Sequence, residues 1–80
     1  MWRAELQPYR DRSGRSGVAG YRIAPDSIVV AFKTGGGYRY DFSAPGRKHV
    51  KAMQRLARSG DGLATYINQH VRENYAEQLW

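Results

Sequence analysis

Residues 18–42 read Val18-Ala19-Gly20-Tyr21-Arg22-Ile23-Ala24-Pro25-Asp26-Ser27-Ile28-Val29-Val30-Ala31-Phe32-Lys33-Thr34-Gly35-Gly36-Gly37-Tyr38-Arg39-Tyr40-Asp41-Phe42. The fold turns on how this stretch alternates. Side chains two apart on a strand share a face, and the pattern predicts three short strands, at about residues 18–23, 27–33 and 37–42. Pro25-Asp26 suits a tight turn between the first two, because proline presets φ and aspartate tolerates the following corner. Gly35-Gly36-Gly37 closes the second hairpin, where positive φ is needed.

A two-residue turn at Pro25-Asp26 pairs Ile23 with Ile28 and Tyr21 with Val30. A three-residue loop at the glycines pairs Phe32 with Tyr40 and Val30 with Phe42. Both hairpins then assign Ala19, Tyr21, Ile23, Ile28, Val30 and Phe32 to one face, together with Tyr38, Tyr40 and Phe42. Val18, Gly20, Arg22, Val29, Ala31 and Lys33 fall on the other, with Arg39 and Asp41. A slip of one residue would bury Lys33 and Arg39 among aliphatics, so the pattern specifies its register.

A sheet that apolar on one side must be covered. Residues 45–58 place Val50, Met53, Leu56 and Ala57 in one stripe at helical spacing, with Pro45 in the first turn. Ser59-Gly60 ends this helix, and Asp61 suits the N-cap of the next. Residues 62–78 put Leu63, Tyr66, Ile67, Val71 and Tyr75 on one side. The expected fold is α+β: a three-stranded antiparallel β-meander followed by two helices packed on one face (βββαα). Residues 1–16, with Arg3, Arg10, Arg12 and Arg15 among glycine–serine breakers, read as a flexible basic N-terminal arm before a single domain at 17–80. Trp2, Leu6 and Tyr9 are the positions by which it could dock.

The chain has 80 residues and no cysteine. A domain of this size hides only about 60% of its unfolded surface, and neither a disulfide nor a thiolate metal site supports it. Cysteine-free composition is compatible with a reducing, cytoplasmic setting. No apolar run approaches the roughly 20 residues of a membrane helix, so no membrane partner is expected. The stretch MWRAELQPYRDRSGRSG lacks the apolar segment of a secretory signal. Thirteen Lys and Arg against seven Asp and Glu leave a net charge of +6. That balance favours RNA, DNA or an acidic protein surface as partner.

The expected cationic sites are two. On the first helix Arg47, Lys51, Arg55 and Arg58 recur at spacings of four, four and three, with Lys48 alongside, and residues 43–60 contain no acid. Arg47 and Lys48 oppose the positive end of the helix dipole, at a cost of about 0.3–1 kcal/mol each; a sequence arranged for stability alone would place acids there. On the open sheet face lie Arg22, Lys33 and Arg39, with Lys33 expected opposite Arg39 as a like-charge pair. Tyr38 and Tyr40 have two readings, core packing with hydroxyls at the rim or exposed platforms for base stacking. His49 and His70 border the apolar stripes of their helices, and neither belongs to a metal-binding motif. The glycine run lacks the lysine and hydroxyl of a phosphate loop and precedes a strand. No serine or threonine has a base partner. The expectation is a module without catalytic residues, metal or cofactor.

Phe32-Lys33-Thr34-Gly35-Gly36-Gly37-Tyr38-Arg39-Tyr40 and Ile67-Asn68-Gln69-His70-Val71-Arg72-Glu73-Asn74-Tyr75 together resemble the KTSC domain family, named for the C-terminus of some lysyl-tRNA synthetases. The resemblance spans roughly residues 17–75. It rests on a tyrosine-x-tyrosine motif after a glycine turn and on a closing pattern that includes Asn68 and Tyr75. This chain departs in having Ser43-Ala44-Pro45 where the family has a Val-Pro step, and Ile67 where it has an aromatic. The resemblance implies a bacterial domain of this size, with RNA binding suggested by attachment to a tRNA-handling enzyme. It also implies that Tyr38, Tyr40, Asn68 and Tyr75 mark the fold.

Residues and resemblance lead to one functional expectation: a small binding module that contacts RNA or another polyanion. The alternative is a protein–protein interaction module that meets an acidic partner or a second copy, the chain being a monomer or weak homodimer.

Overall fold

The computed structural model describes residues 6–80; Trp2 and Arg3 of the expected arm lie outside the described residues. Five strands form one antiparallel sheet in sequence order: β1 (Gln7–Pro8), β2 (Val18–Ala24), β3 (Ser27–Phe32), β4 (Gly37–Asp41) and β5 (Glu77–Gln78). Helix α1 (Arg47–Ser59) follows β4, and α2 (Leu63–Tyr66) runs directly into a π-helical turn at Ile67–Val71. The α+β meander with two helices is therefore present, inside a sheet of five strands rather than three.

The β2–β3 hairpin has the expected register, with Ile23 opposite Ile28 and Tyr21 opposite Val30. Nearer the start of β2 a β-bulge intervenes: Val18 faces Phe32 while Gly20 faces Ala31. The inserted residue, Ala19, is exposed, and Val18 is fully buried, the reverse of the expected faces. A bulge places two residues against one and so inverts the alternation beyond it.

The second hairpin departs by an even step. Val30 faces Tyr38 and Ile28 faces Tyr40, not Phe42 and an unpaired end. The loop is Lys33-Thr34-Gly35, closed by Gly35 N–H donating to Phe32 O and Phe32 N–H donating to Gly36 O. Gly35 and Gly36, at φ 108° and 89°, take the positive values the turn needs. Moving the loop centre by two residues shifts the partner strand by four, so inward residues stay inward. Two consequences differ from expectation. Phe42 leaves the sheet and is 37% exposed. Arg39 faces Val29, so the like-charge pair with Lys33 does not form.

Inward side chains of the sheet meet Val50, Met53 and Ala57 of α1 and Leu63, Ile67 and Val71 of the second helical segment in one core. Gln54 is the polar member of that layer. Its buried amide donates to Ala24 O at 2.9 Å and Ser27 O at 3.0 Å, tying α1 to the β2–β3 turn. Helix α1 starts at Arg47 rather than at Pro45, because Asp41 first organises a tight turn. Its carboxylate accepts from Ser43 N–H and Oγ, and its carbonyl accepts from Ala44 and Gly46 N–H. Gly60 ends α1 in the left-handed conformation. The N-cap of α2 is Gly62, with no side-chain cap, so Asp61 does not serve there.

The expected helix over 62–78 stops at Val71. Arg72 turns to φ 52°, and the chain returns as β5 along the free edge of β4, with Ala76 N–H donating to Arg39 O and Leu79 N–H to Gly37 O. β1 covers the other edge, with Gln7 opposite Tyr21. Both edges of the meander are thus closed by two-residue strands, a standard protection against pairing with other chains. From Leu6 onward the expected arm belongs to the packed domain: Tyr9 is buried, its hydroxyl accepts Leu63 N–H at 3.2 Å, and Arg12 N–H donates to Gly60 O. Among the described residues no helix is long and apolar enough to cross a membrane.

Candidate functional site

The outer sheet face is less open than the alternation implies. Arg22, Val29, Arg39 and Glu77 stand in one row across four strands, and Val29 is 2% exposed between the two arginines. The next row, Pro8, Gly20, Ala31 and Gly37, is made of small residues because other groups press on it. A side chain on Gly37 would strike the Trp80 ring, and one on Gly20 the Gln7 carbonyl. Two cations of this face, Arg39 and Lys33, have carboxylate partners. Arg39 pairs with Glu77 at 2.6 Å and with Asp41 at 3.6 Å. Lys33 stands at the hairpin tip and pairs with Asp11 at 2.7 Å. The hydrogen bond from Lys33 holds the Asp11 carboxyl below its ordinary range. The Ser43 hydroxyl, chiefly, does the same for Asp41.

Helix α1 is different. Arg47, Lys48, Lys51, Arg55 and Arg58 are all exposed, and among the described residues none forms an ion pair. Arg47 and Lys51 lie over the exposed Phe42 ring at 5.5 and 5.8 Å from its centroid. At the far end of the helix the β1–β2 connection adds charge: Arg10 packs against Gly60, and Arg12 is anchored to it. The sequence marked the five helix cations, but not the ring at one end or the arginines at the other. The alternation puts Phe42 on the core face, and the approach of residues 10–12 to Gly60 is a long-range contact that no local pattern encodes.

The motif tyrosines form a second feature. Tyr40 is 1% exposed and Tyr38 half-buried, so parity does turn both inward. Tyr75 joins them from the segment before β5, with ring centroids 4.6 Å from Tyr38 and 6.3 Å from Tyr40. Phe32 meets Tyr38 edge-on at 5.7 Å. These rings border a cleft of about 690 Å³, whose opposite wall is Asn68, Arg72 and Glu73. All four residues singled out by the motif, Tyr38, Tyr40, Asn68 and Tyr75, line it. Burial raises the Tyr40 phenol above its ordinary range, and the Tyr38 and Tyr75 hydroxyls add to the effect.

His49 and His70 share Tyr66. His49 Nδ1 lies 2.7 Å from the Tyr66 hydroxyl, and the His70 ring packs 4.6 Å from the Tyr66 ring. His49 is half-buried and His70 exposed. Among the described residues no three His, Cys, Asp or Glu side chains come together to hold a metal ion. Compared with known proteins, the chain matches no family model, no curated protein and no solved structure.

Proposed function

We propose that the protein is a non-catalytic module that binds RNA or a similar polyanion along α1. The observation that carries this reading is the contrast in pairing. Lys33 and Arg39 of the sheet face have carboxylate partners, whereas Arg47, Lys48, Lys51, Arg55 and Arg58 have none among the described residues. Thirteen residues of helix extend about 20 Å, long enough for several successive phosphates. Phe42 under Arg47 and Lys51 adds a ring on which an unpaired base can stack, a sequence-tolerant contact. The first-turn cations that oppose the helix dipole would be relieved by phosphate. Arg22, Lys33 and Arg39 take a lesser part in this reading, since binding through Lys33 or Arg39 would break existing ion pairs. The likeness to the KTSC domain family supports the same direction by analogy.

The test is a titration of a labelled single-stranded RNA against the protein at two salt concentrations. Neutralising about four phosphates gives a slope of log affinity on log salt near −3, from about −0.7 per phosphate. Between about 50 and 200 mM salt the affinity then falls roughly fifty-fold. Binding that ignores salt, or no binding at low ionic strength, refutes the proposal.

A further inference from the structure

The cleft between the motif tyrosines and the π-helical turn has the make-up of a ligand site. Its volume of about 690 Å³ lies within the roughly 300–1,000 Å³ of small-molecule sites. Its floor carries a hydroxyl without a protein partner among the described residues. Tyr40 is 1% exposed, and among the described residues its hydroxyl makes no hydrogen bond. Among the described residues no buried side-chain nitrogen or oxygen lacks a partner, so this hydroxyl keeps some exposure, on the cleft that Tyr40 lines.

The wall opposite is unusual in backbone as well as in chemistry. Ile67–Val71 is π-helical, a form that recurs at functional sites. Arg72, next in sequence, holds φ 52° without being glycine, a strained conformation that persists only where its surroundings enforce it. Its side chain is exposed and has no ion pair among the described residues. Asn68 likewise is exposed and unbonded among them.

Ring geometry selects the ligand class. Tyr38 and Tyr75 pack on each other at 4.6 Å, so the rings cannot surround a cation as an aromatic cage does. They present hydroxyls and part of their apolar surface instead, while Asn68 and Arg72 bring further donors beside the Glu73 carboxylate. Several donors, one of them a guanidinium, suit a phosphoryl group, and the half-buried rings of Phe32, Tyr38 and Tyr75 suit a planar body. We infer that the cleft binds a nucleoside monophosphate unit, its phosphate held by Arg72, Asn68 and the Tyr40 hydroxyl and its base against the rings. The unit is either a free mononucleotide or the phosphorylated end of a strand. The site contains no α1 cation, so it stands or falls separately from the proposed function.

The experiment is a heteronuclear NMR titration of the full chain at about 200 mM salt, where surface phosphate contacts are weakened. The probes are the common nucleoside monophosphates, the matching nucleosides, inorganic phosphate and a 5′-phosphorylated dinucleotide. A monophosphate is expected to give saturable shifts at Tyr38, Asn68, Arg72 and Tyr75. The matching nucleoside should bind at least about tenfold more weakly, as loss of a charge-assisted contact requires. Arg72→Gln should cost at least about tenfold as well, and Arg15→Gln, at an exposed cation outside both the cleft and α1, nothing. Tighter binding of the dinucleotide than of the mononucleotide assigns the site to strand ends; the reverse assigns it to free nucleotides. Tyr40→Phe provides a second check wherever its thermal melt matches wild type. No saturable shifts from any probe, shifts confined to α1, or an Arg72→Gln variant that binds like wild type would overturn the inference.

Discussion

Replacing Tyr9 by phenylalanine removes one oxygen atom and tests whether the N-terminal segment belongs to the domain. The Tyr9 hydroxyl accepts Leu63 N–H at 3.2 Å. Leu63 opens α2, where backbone donors have no partner within the helix, and its N-cap supplies no side-chain bond. Leu63 is 0% exposed and Tyr9 7%, so water cannot readily replace the hydroxyl. A buried donor left unmade costs about 1–3 kcal/mol, and the ring itself still packs, so no cavity adds to the loss. For a domain of this size about 2 kcal/mol corresponds to a fall in Tm of roughly 8–16 °C. Tyr21→Phe is the matched control. Its hydroxyl reaches exposed Gln7 only at 3.5 Å, and its loss should change stability by less than about 0.5 kcal/mol. Urea and thermal unfolding of the two variants supply the comparison. If Tyr9→Phe melts with Tyr21→Phe at the wild-type temperature, the hydroxyl does not cap α2 and the docking of this segment is misassigned.

Three further outcomes follow from the packing. Gln54→Leu strips the donor shared by the Ala24 and Ser27 carbonyls and should cost about 2–3 kcal/mol; an unchanged urea midpoint would contradict that bridge. Gly60→Ala sets a side chain against Arg10 at a φ of 76°, and destabilisation above about 1 kcal/mol is expected, with a neutral result counting against the contact. Stability should also fall at both extremes of pH. Burial raises the Tyr9 and Tyr40 phenols, so their contribution is intact below about pH 10 and lost as pH rises beyond it. Hydrogen bonds lower the Asp11 and Asp41 carboxyls, so theirs is present above about pH 4 and lost as pH falls. A urea midpoint that climbs above pH 10 would refute the first half of this profile.

The meander and the inward turn of Tyr38 and Tyr40 were legible in the sequence because they depend on a period of two. An even error in the second hairpin, such as the loop at Lys33-Thr34-Gly35 instead of at the glycines, leaves that parity intact. The odd event, the bulge at Ala19, inverted Val18, and nothing in Val-Ala-Gly announces it. The short strands β1 and β5 were illegible for another reason. Two residues carry no period, and Gln7–Pro8 and Glu77–Gln78 pair only because the edges of a finished sheet offer them unpaired backbone. The pattern Ile67, Val71, Tyr75 reads as a continuous helix although the last of these reaches the core from beyond Arg72. Of the candidate sites, the cations of α1 were visible as helical spacing. The cleft was visible only as a motif whose four residues had no stated reason to meet.

The measurement closest to the central claim compares two charge-removed variants in salt titrations of RNA binding. One carries Arg47→Gln, Lys51→Gln, Arg55→Gln and Arg58→Gln on α1; the other carries Lys33→Gln and Arg39→Gln on the sheet. Loss of about four phosphate contacts should flatten the α1 variant's slope from near −3 towards zero, while the sheet variant keeps the wild-type slope within about one contact. A sheet variant that loses the slope while the α1 variant retains it would place the interface on the wrong surface and contradict the account.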